Sequence, residues 1–286
     1  MLNADQYELL DFGRGRKLER FGERIVDRPS PAAERMLEAT PDLWRQATAR
    51  YERTSGDQGA WRSAATAAGK NLPPPRDWII RHGPLTLDLR LTEFGHVGLF
   101  PEQADNWTWI AQQVGGSPAP LRVLNLFAYT GAATLAAAAA GAEVTHVDAS
   151  RATVAWARRN AELSGMTDRP IRWIVEDAPT FVRRELKRGR SYHAVILDPP
   201  SYGHGPKGEA WKLAEQLPGL LADCANLTAD DRRFLLLTCH TPGFAPPALG
   251  RLLNQALGGG AIETADLYLS TSPGRQLPCG AMARGR

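Results

Sequence analysis

Apolar and polar positions change their rhythm twice along this chain. Over residues 7–28 (YELLDFGRGRKLERFGERIVDR) apolar and charged residues alternate between glycines, which predicts short strands of a small β-unit. Pro29 and Pro31 interrupt that pattern, and the spacing of Ala33, Met36, Leu37 and Leu43 predicts a helix within 32–51. Residues 54–77 are rich in Gly, Ser and Ala and end in Pro73-Pro74-Pro75, so they read as a loop or linker. Trp78-Ile79-Ile80 and the period-two run Leu85–Leu91 then predict a hairpin.

From Leu121 onward, buried-strand runs alternate with helical stretches. The strands fall at 121–127, 143–148, 171–177, 192–198 and 234–239; the helices fall at 131–141, 151–164, 179–188, about 210–227 and 246–257. Such a βαβ series with right-handed crossovers builds a parallel sheet covered on both faces. Two last strands, 261–269 and 277–284, are separated by Ser-Thr-Ser-Pro-Gly and would close the sheet as an antiparallel hairpin. The expected fold is α/β, a doubly wound and mostly parallel seven-stranded sheet with a small N-terminal β-rich accessory region. The expected division is an accessory region at 1–75, a hairpin and helix at 76–120, and the sheet domain at 121–286.

Composition narrows the class without naming a partner. Of 286 residues, 43% are hydrophobic and 23% charged, a balance that argues against a disordered chain. The alanine-rich stretch Ala132–Ala142 is far short of the ~20 apolar residues of a membrane span. The N-terminal MLNADQYELLDFG lacks the basic start and apolar core of a signal peptide. No membrane association and a cytoplasmic location are therefore expected. Cys224, Cys239 and Cys279 are odd in number and far apart, and the six histidines lack ligand spacing, so no disulfide framework and no metal site are expected. The net charge is +3, with 29 arginines against five lysines. Arginine suits bidentate phosphate binding, but a GC-rich genome produces the same excess.

In an open parallel sheet, ligands bind beyond the C-terminal strand ends near the reversal of strand order. Asp148 ends the second strand, 23 residues after Asn125, where a carboxylate can accept both ribose hydroxyls of an adenosine ligand. Its other reading is a helix cap ahead of Arg151. The first loop holds a single glycine, Gly131, so neither a dinucleotide fingerprint nor a phosphate-binding loop is present. That disfavours a nicotinamide oxidoreductase and suits S-adenosylmethionine, whose tail is an amino acid. The fourth strand ends in Asp198-Pro199-Pro200-Ser201-Tyr202. Two prolines fix an extended turn without amide donors. A flat heterocycle could stack on Tyr202 while Asp198 and nearby carbonyls hold its polar edge.

With these residues in place, the chain resembles class I S-adenosylmethionine-dependent methyltransferases, and among them the large-subunit rRNA cytosine-5 and guanine methyltransferases. Asn125-Leu-Phe127-Ala-Tyr129-Thr130-Gly131 is similar to the family's first cofactor motif, N-x-F-x-Y-T-G. Asp148-Ala149-Ser150 followed by Trp156-Ala-Arg-Arg-Asn160 is similar to the second, and Asp177-Ala178 falls on the adenine-contacting acid. Asp198-Pro-Pro-Ser-Tyr202 matches D-P-P-x-[FY], and Gly98–Asn106, with Glu102 and Gln103, resembles a stretch that touches cofactor. The resemblance covers roughly 85–285. Residues 1–75 do not show the family's usual RNA-binding PUA pattern. It implies a Rossmann-like methyltransferase fold, S-adenosyl-L-methionine as cofactor, and RNA, above all ribosomal RNA, as partner.

The target base separates two chemistries. Cytosine C5 methylation requires an enzyme thiolate that adds to C6. Cys239 is the one cysteine at a strand end, next to His240, yet alignment on Gly243 puts Thr241 at the family's cysteine. A guanine or adenine nitrogen needs no thiol, and Asp198 and Tyr202 would then suffice. The candidate catalytic residues are accordingly Asp198, Pro199, Pro200, Tyr202 and Cys239; Cys224 and Cys279 read as core. Candidate RNA contacts are Arg183-Arg184-Glu-Leu-Lys187-Arg188-Gly-Arg190 and the set Arg14, Arg16, Lys17 and Arg20. The other readings are a methyltransferase of protein or small molecules, since fold does not dictate substrate, and a non-catalytic RNA-binding module.

Overall fold

The alternation at the start of the chain becomes three short strands, β1 (Tyr7–Gly13), β2 (Arg16–Phe21) and β3 (Arg24–Pro29). In this computed structural model, residues 2–55, 58–63, 78–272 and 274–286 are described. With β4 (Ala49–Ser55) and β5 (Gln58–Ser63) they form a sheet in chain order, antiparallel except where β3 runs parallel to β4. The hairpin expected after Trp78 is β6 (Ile79–His82) with β7 (Leu85–Asp88).

The helix expected within 32–51 does not form. That stretch holds two 3-10 turns, Pro31–Ala33 and Pro41–Gln46, before β4. Buried Asp11 is the cause. Its carboxylate accepts from Ala39 N, Thr40 N, Thr40 Oγ1 and Trp44 Nε1 at 2.9–3.2 Å. Backbone donors that a helix would use are thereby committed elsewhere, and proline opens each turn. Of the 54–77 linker, residues 58–63 are strand β5, and 64–77 lie outside the described residues.

This first sheet buries charge on one face. Glu19 is fully buried and accepts two hydrogen bonds from Arg28 and one from Tyr7 Oη, with Lys17 Nζ at 3.2 Å. Burial opposes its ionisation. The pull of Arg28 and Lys17, with the hydrogen bonds, outweighs that and holds the carboxyl at about 2.

Packing divides the chain into two units. One comprises Met1–Ala104 with Tyr268–Cys279; the other comprises Asp105–Leu267 with Gly280–Arg286. The hairpin region stays with the first sheet because Trp78 Nε1 donates to Phe21 O, and Trp61 Nε1 and Tyr51 Oη donate to Thr92 O and Glu93 O. Tyr268–Cys279 joins it through Arg275, which donates to Asp11 Oδ1 at 2.6 Å and stacks 4.2 Å over the Phe12 ring.

The chain from Ala104 onward has the expected alternation, with the end of β15 and the start of β16 counted in the first unit. In chain order it runs α1 (Ala104–Gly115), β8 (Arg122–Leu126), α2 (Ala132–Ala139), β9 (Glu143–Asp148), α3 (Arg151–Leu163), β10 (Ile171–Val175), α4 (Ala178–Lys187) and β11 (Ala194–Leu197). It continues through a short hairpin, β12 (Tyr202–His204) and β13 (Ala210–Lys212), into α5 (Leu213–Leu227), β14 (Phe234–Cys239), α6 (Pro246–Leu257), β15 (Ile262–Ser270) and β16 (Gln276–Gly285). The seven-stranded sheet has order β10-β9-β8-β11-β14-β16-β15. Its strands are parallel through β14, and β16 is antiparallel to β14. Every residue of β11 and β14 is buried, as continuous apolar runs under two helical layers require. One layer packs Phe181, Leu217, Leu221 and Leu249 on the sheet, and the other packs Ile110, Ala137 and Ala138. Strand order reverses between β8 and β11, which sets the ligand crevice at their C-terminal ends. Among the described residues no helix is long and apolar enough to cross a membrane, and no group of three His, Cys, Asp or Glu is placed to hold a metal ion.

The buried ionic cluster carries a stability prediction. Arg28→Met leaves Glu19 buried without its main partner, and chemical denaturation at pH 7 should show a loss of about 3–5 kcal/mol. The native-state preference for ionised Glu19 is complete above its ordinary value of 4.5 and is lost as pH falls toward 2. The variant should therefore show no Glu19-dependent loss over that window; identical pH profiles for the two proteins would refute the assignment.

Candidate functional site

The strand-end loop after β8 adopts a backbone that ordinary residues avoid. Phe127 and Tyr129 have φ of 53° and 50°, and Gly131 has 88°. Two non-glycine residues in the left-handed region cost on the order of 1–3 kcal/mol each and persist only where neighbours over-determine them. The neighbours are on β9 and α3. Ala128 N donates to Val147 O at 3.1 Å, Tyr129 N to Asp148 Oδ2 at 2.9 Å, and Asn160 Nδ2 to Thr130 O at 2.9 Å. Gly131 cannot be replaced cheaply, because an added Cβ would stand 3.1 Å from Ala157 Cβ on α3.

Asp148 is not a helix cap. Ser150 caps α3, its Oγ accepting from Thr153 N at 3.2 Å, while Asp148 Oδ1 accepts from Ser150 N at 2.9 Å. Each carboxylate oxygen thus takes one backbone N–H and keeps a lone pair for a ligand hydroxyl. Burial raises the Asp148 carboxyl, with the two N–H bonds opposing. Ala149 lies between these anchors.

Beneath the loop runs a buried polar chain. Asn125 Nδ2 donates to Thr134 Oγ1 at 2.9 Å, and Thr134 Oγ1 shares a hydrogen bond of 2.9 Å with His146 Nδ1. Burial pushes His146 down to about 3, so the ring is neutral. Thr134 and His146 were not among the residues singled out from the sequence. Their signal is a polar side chain inside two otherwise apolar elements.

Asp177 caps α4, its Oδ2 accepting from Thr180 N at 3.0 Å and Thr180 Oγ1 at 2.8 Å. It also lines a cleft of about 300 Å³ with Thr180, Arg183 and Gln216, next to Ala178 at the start of the helix. Glu102 and Gln103 lie in the first unit, in a 3-10 turn. There burial raises the Glu102 carboxyl, and the charges that act on it include Lys17, Arg28 and Glu19.

The Asp198-Pro199-Pro200 turn is braced from two sides. Asp198 Oδ1 accepts from Thr238 Oγ1 at 2.6 Å, and Ser201 Oγ bonds Thr241 Oγ1 at 2.6 Å, both on or just after β14. Burial raises the Asp198 carboxyl; the Thr238 bond and the charge of His240 oppose that. On the other side Trp211 Nε1 donates to Pro200 O at 2.7 Å, with its ring 4.9 Å from that of Phe127. The β12–β13 hairpin that supplies Trp211 was missed, although Gly205-Pro-Lys-Gly208 between two alternating triplets is its turn signal. Tyr202 projects from this hairpin, 55% exposed, with the His204 ring edge-on at 5.0 Å.

Cys239 sits in the core rather than at the open edge. It is 2% exposed among Leu237, Leu249 and Ala281, and burial raises its thiol, with Thr241 N donating to Sγ at 3.4 Å.

These residues fit a nucleoside carrying an amino acid tail. The carboxylate with free lone pairs suits a ribose, the single close-packed glycine leaves no pyrophosphate nest, and the first turn of α2 begins without a side-chain cap. Comparison with known proteins agrees. A family model described as S-adenosylmethionine-dependent methyltransferase matches residues 31–230. The ribosomal RNA large subunit methyltransferase K/L of Hahella chejuensis is 34% identical over 154 residues, 53% of this chain and 20% of that protein. Ribosomal RNA large subunit methyltransferase K of Neisseria meningitidis serogroup B is 30% identical over 132 residues, 46% of this chain and 36% of that protein. The chain therefore spans about a fifth to a third of these curated relatives. The crystal structure of the SAM-dependent methyltransferase from Agrobacterium tumefaciens superimposes with a TM-score of 0.89 at 37% identity, covering 98% of this chain and 90% of that one. With a family match over well more than half its residues and the strand-end geometry to support it, this chain belongs to the S-adenosylmethionine-dependent methyltransferases.

Proposed function

We propose that this enzyme methylates a nitrogen of a base in large-subunit ribosomal RNA, and we read its location as cytoplasmic. The observation that carries the reading is the braced Asp198-Pro199-Pro200 turn with exposed Tyr202 beside it, next to the Asp148 loop clamp. The names of these relatives support the substrate class.

S-adenosylmethionine supplies an electrophilic methyl group on a sulfonium. For this ligand Asp148 holds the ribose, Asp177 the adenine edge, and the loop from Phe127 to Gly131 the methionine portion. Tyr202 offers an exposed ring on which a base stacks, a contact of about 1–3 kcal/mol. Prolines 199 and 200 leave that turn without N–H groups, so Asp198 and the nearby carbonyls present acceptors only. An acceptor-only edge suits an amine donor. Asp198 then orients the amine and takes its proton at a carboxylate oxygen. No thiolate enters this scheme. The burial of Cys239 and its raised thiol favour nitrogen over cytosine C5, which requires a thiolate.

Nucleoside mass mapping of protein-free large-subunit rRNA, after incubation with the enzyme and S-adenosylmethionine, should find one additional methyl group on a base nitrogen. Cys239→Ala should retain that product with turnover within about threefold of wild type. Loss of turnover together with loss of a covalent adduct to 5-fluorocytosine RNA would establish the C5 mechanism instead.

Activity needs the ionised Asp198, whose carboxyl is raised above its ordinary value of 3.8. Activity should consequently fall with decreasing pH in a limb above that value. The Thr238 hydrogen bond lowers this carboxyl, so Thr238→Val should move the acid limb of kcat/KM to higher pH. A limb that stays in place in the variant would remove Asp198 from the proton transfer.

A further inference from the structure

Charge is distributed unevenly along this chain. The forty residues from Arg151 to Arg190 hold ten arginines and lysines against five acids, so a protein of net charge +3 carries +5 there and −2 in the remainder. This stretch surrounds β10, the edge strand of the seven-stranded sheet. α3 packs on β9 and β10. α4 is tied to the strand by Arg172, which pairs with Glu185 at 3.5 Å and lies 5.8 Å over the Phe181 ring. α3 packs beside α2 on one face of the sheet and α4 beside α5 on the other, so the two helices flank the exposed β10 edge from either side.

Nearly all the acids of this surface are already engaged. Glu176 pairs with Arg184; Glu185 takes Arg172, Arg188 and Tyr192 Oη; Glu162 takes Arg159; Asp177 caps α4. Arg151, Arg158, Arg169, Arg183, Lys187 and Arg190 are exposed, and no ion pair to them occurs among the described residues. The N-terminal basic set is the opposite case. Arg16, Lys17 and Arg20 pair with Asp27, Glu19 and Glu8 inside the first sheet.

Ordinary structural causes cover part of this charge. Lys187 and Arg184 lie in the last turn of α4, where the helix dipole favours cations, and Arg172 protects a sheet edge from pairing. They do not cover the rest. Arg151 begins α3, whose first turn has no acid, and a cation at that end is opposed by the dipole. Arg158 and Arg169 gain nothing from a helix end. Unpaired guanidinium groups concentrated on one edge fit a polyanion with planar oxyanion groups.

We infer that the α3–β10–α4 edge grips the phosphate backbone of the RNA substrate, which rests on the RNA-base reading above. Sequence information is left to the strand-end site, and this edge supplies salt-dependent affinity.

The test compares wild type with the variant Arg158→Gln, Arg169→Gln, Lys187→Gln and Arg190→Gln, using a protein-free large-subunit rRNA transcript. Log affinity against log salt should lose about 3 in slope, from about 0.7–0.9 per phosphate contact. KM for RNA at low salt should rise at least about tenfold, with S-adenosylmethionine affinity and thermal midpoint unchanged. Arg169→Gln alone should lower the slope by about 0.8. A wild-type enzyme that methylates the transcript, with slope and KM identical in the variant, overturns this surface and leaves the RNA reading standing. Wild-type protein that binds polyglutamate but not the transcript overturns both.

Discussion

The catalytic unit depends on one carboxylate that holds two loops at once. Asp148 stands at the end of β9 and accepts Tyr129 N from the loop after β8 and Ser150 N from the turn into α3. Those two bonds fix the left-handed residues of the first loop and the start of the second crossover helix, with Asn160 and the Gly131–Ala157 contact closing the other side. A loop strained at two non-glycine positions is pre-shaped, so little ordering remains to be done when a ligand enters. The same oxygens that hold the protein together retain lone pairs for the ligand. In the proposed scheme, structural and binding roles therefore coincide at Asp148.

The second anchor is built differently. The Asp198 turn has no amides of its own to donate across its prolines, so its position comes from outside, through Thr238, Thr241 and the Trp211 indole. The Phe127–Trp211 ring contact then links the two anchors across the point where strand order reverses. The loop after β8 and the Asp198 turn are parts of one packed network, and Trp211 belongs to it although it touches neither ligand in the proposed scheme.

The seven-stranded sheet was legible because its strands are buried on both faces, and runs such as Phe234–Cys239 have no periodicity to misread. Strand-end carboxylates were legible for the same reason, since a polar residue that ends such a run has to lie at the sheet edge. Local patterns failed where distant residues decide. The apolar spacing of 32–51 is helical, but Asp11, twenty-odd residues earlier, takes the backbone donors that a helix would need. Cys239 ends a strand and so reads as edge, yet strand β16 and helix α6 cover it. The hairpin around Trp211 was hidden by its brevity: three residues a side is too short for alternation to stand out.

Isothermal calorimetry of S-adenosylmethionine with Asp148→Asn tests the central claim most directly. Two charge-assisted hydrogen bonds to the ribose, each about 1.5–3 kcal/mol, make a loss of at least about a hundredfold in affinity the expected result. Circular dichroism and the thermal midpoint show whether the variant keeps its fold. A folded variant whose Kd stays within twofold of wild type would contradict the account, because Asp148 would then be a loop brace and nothing more.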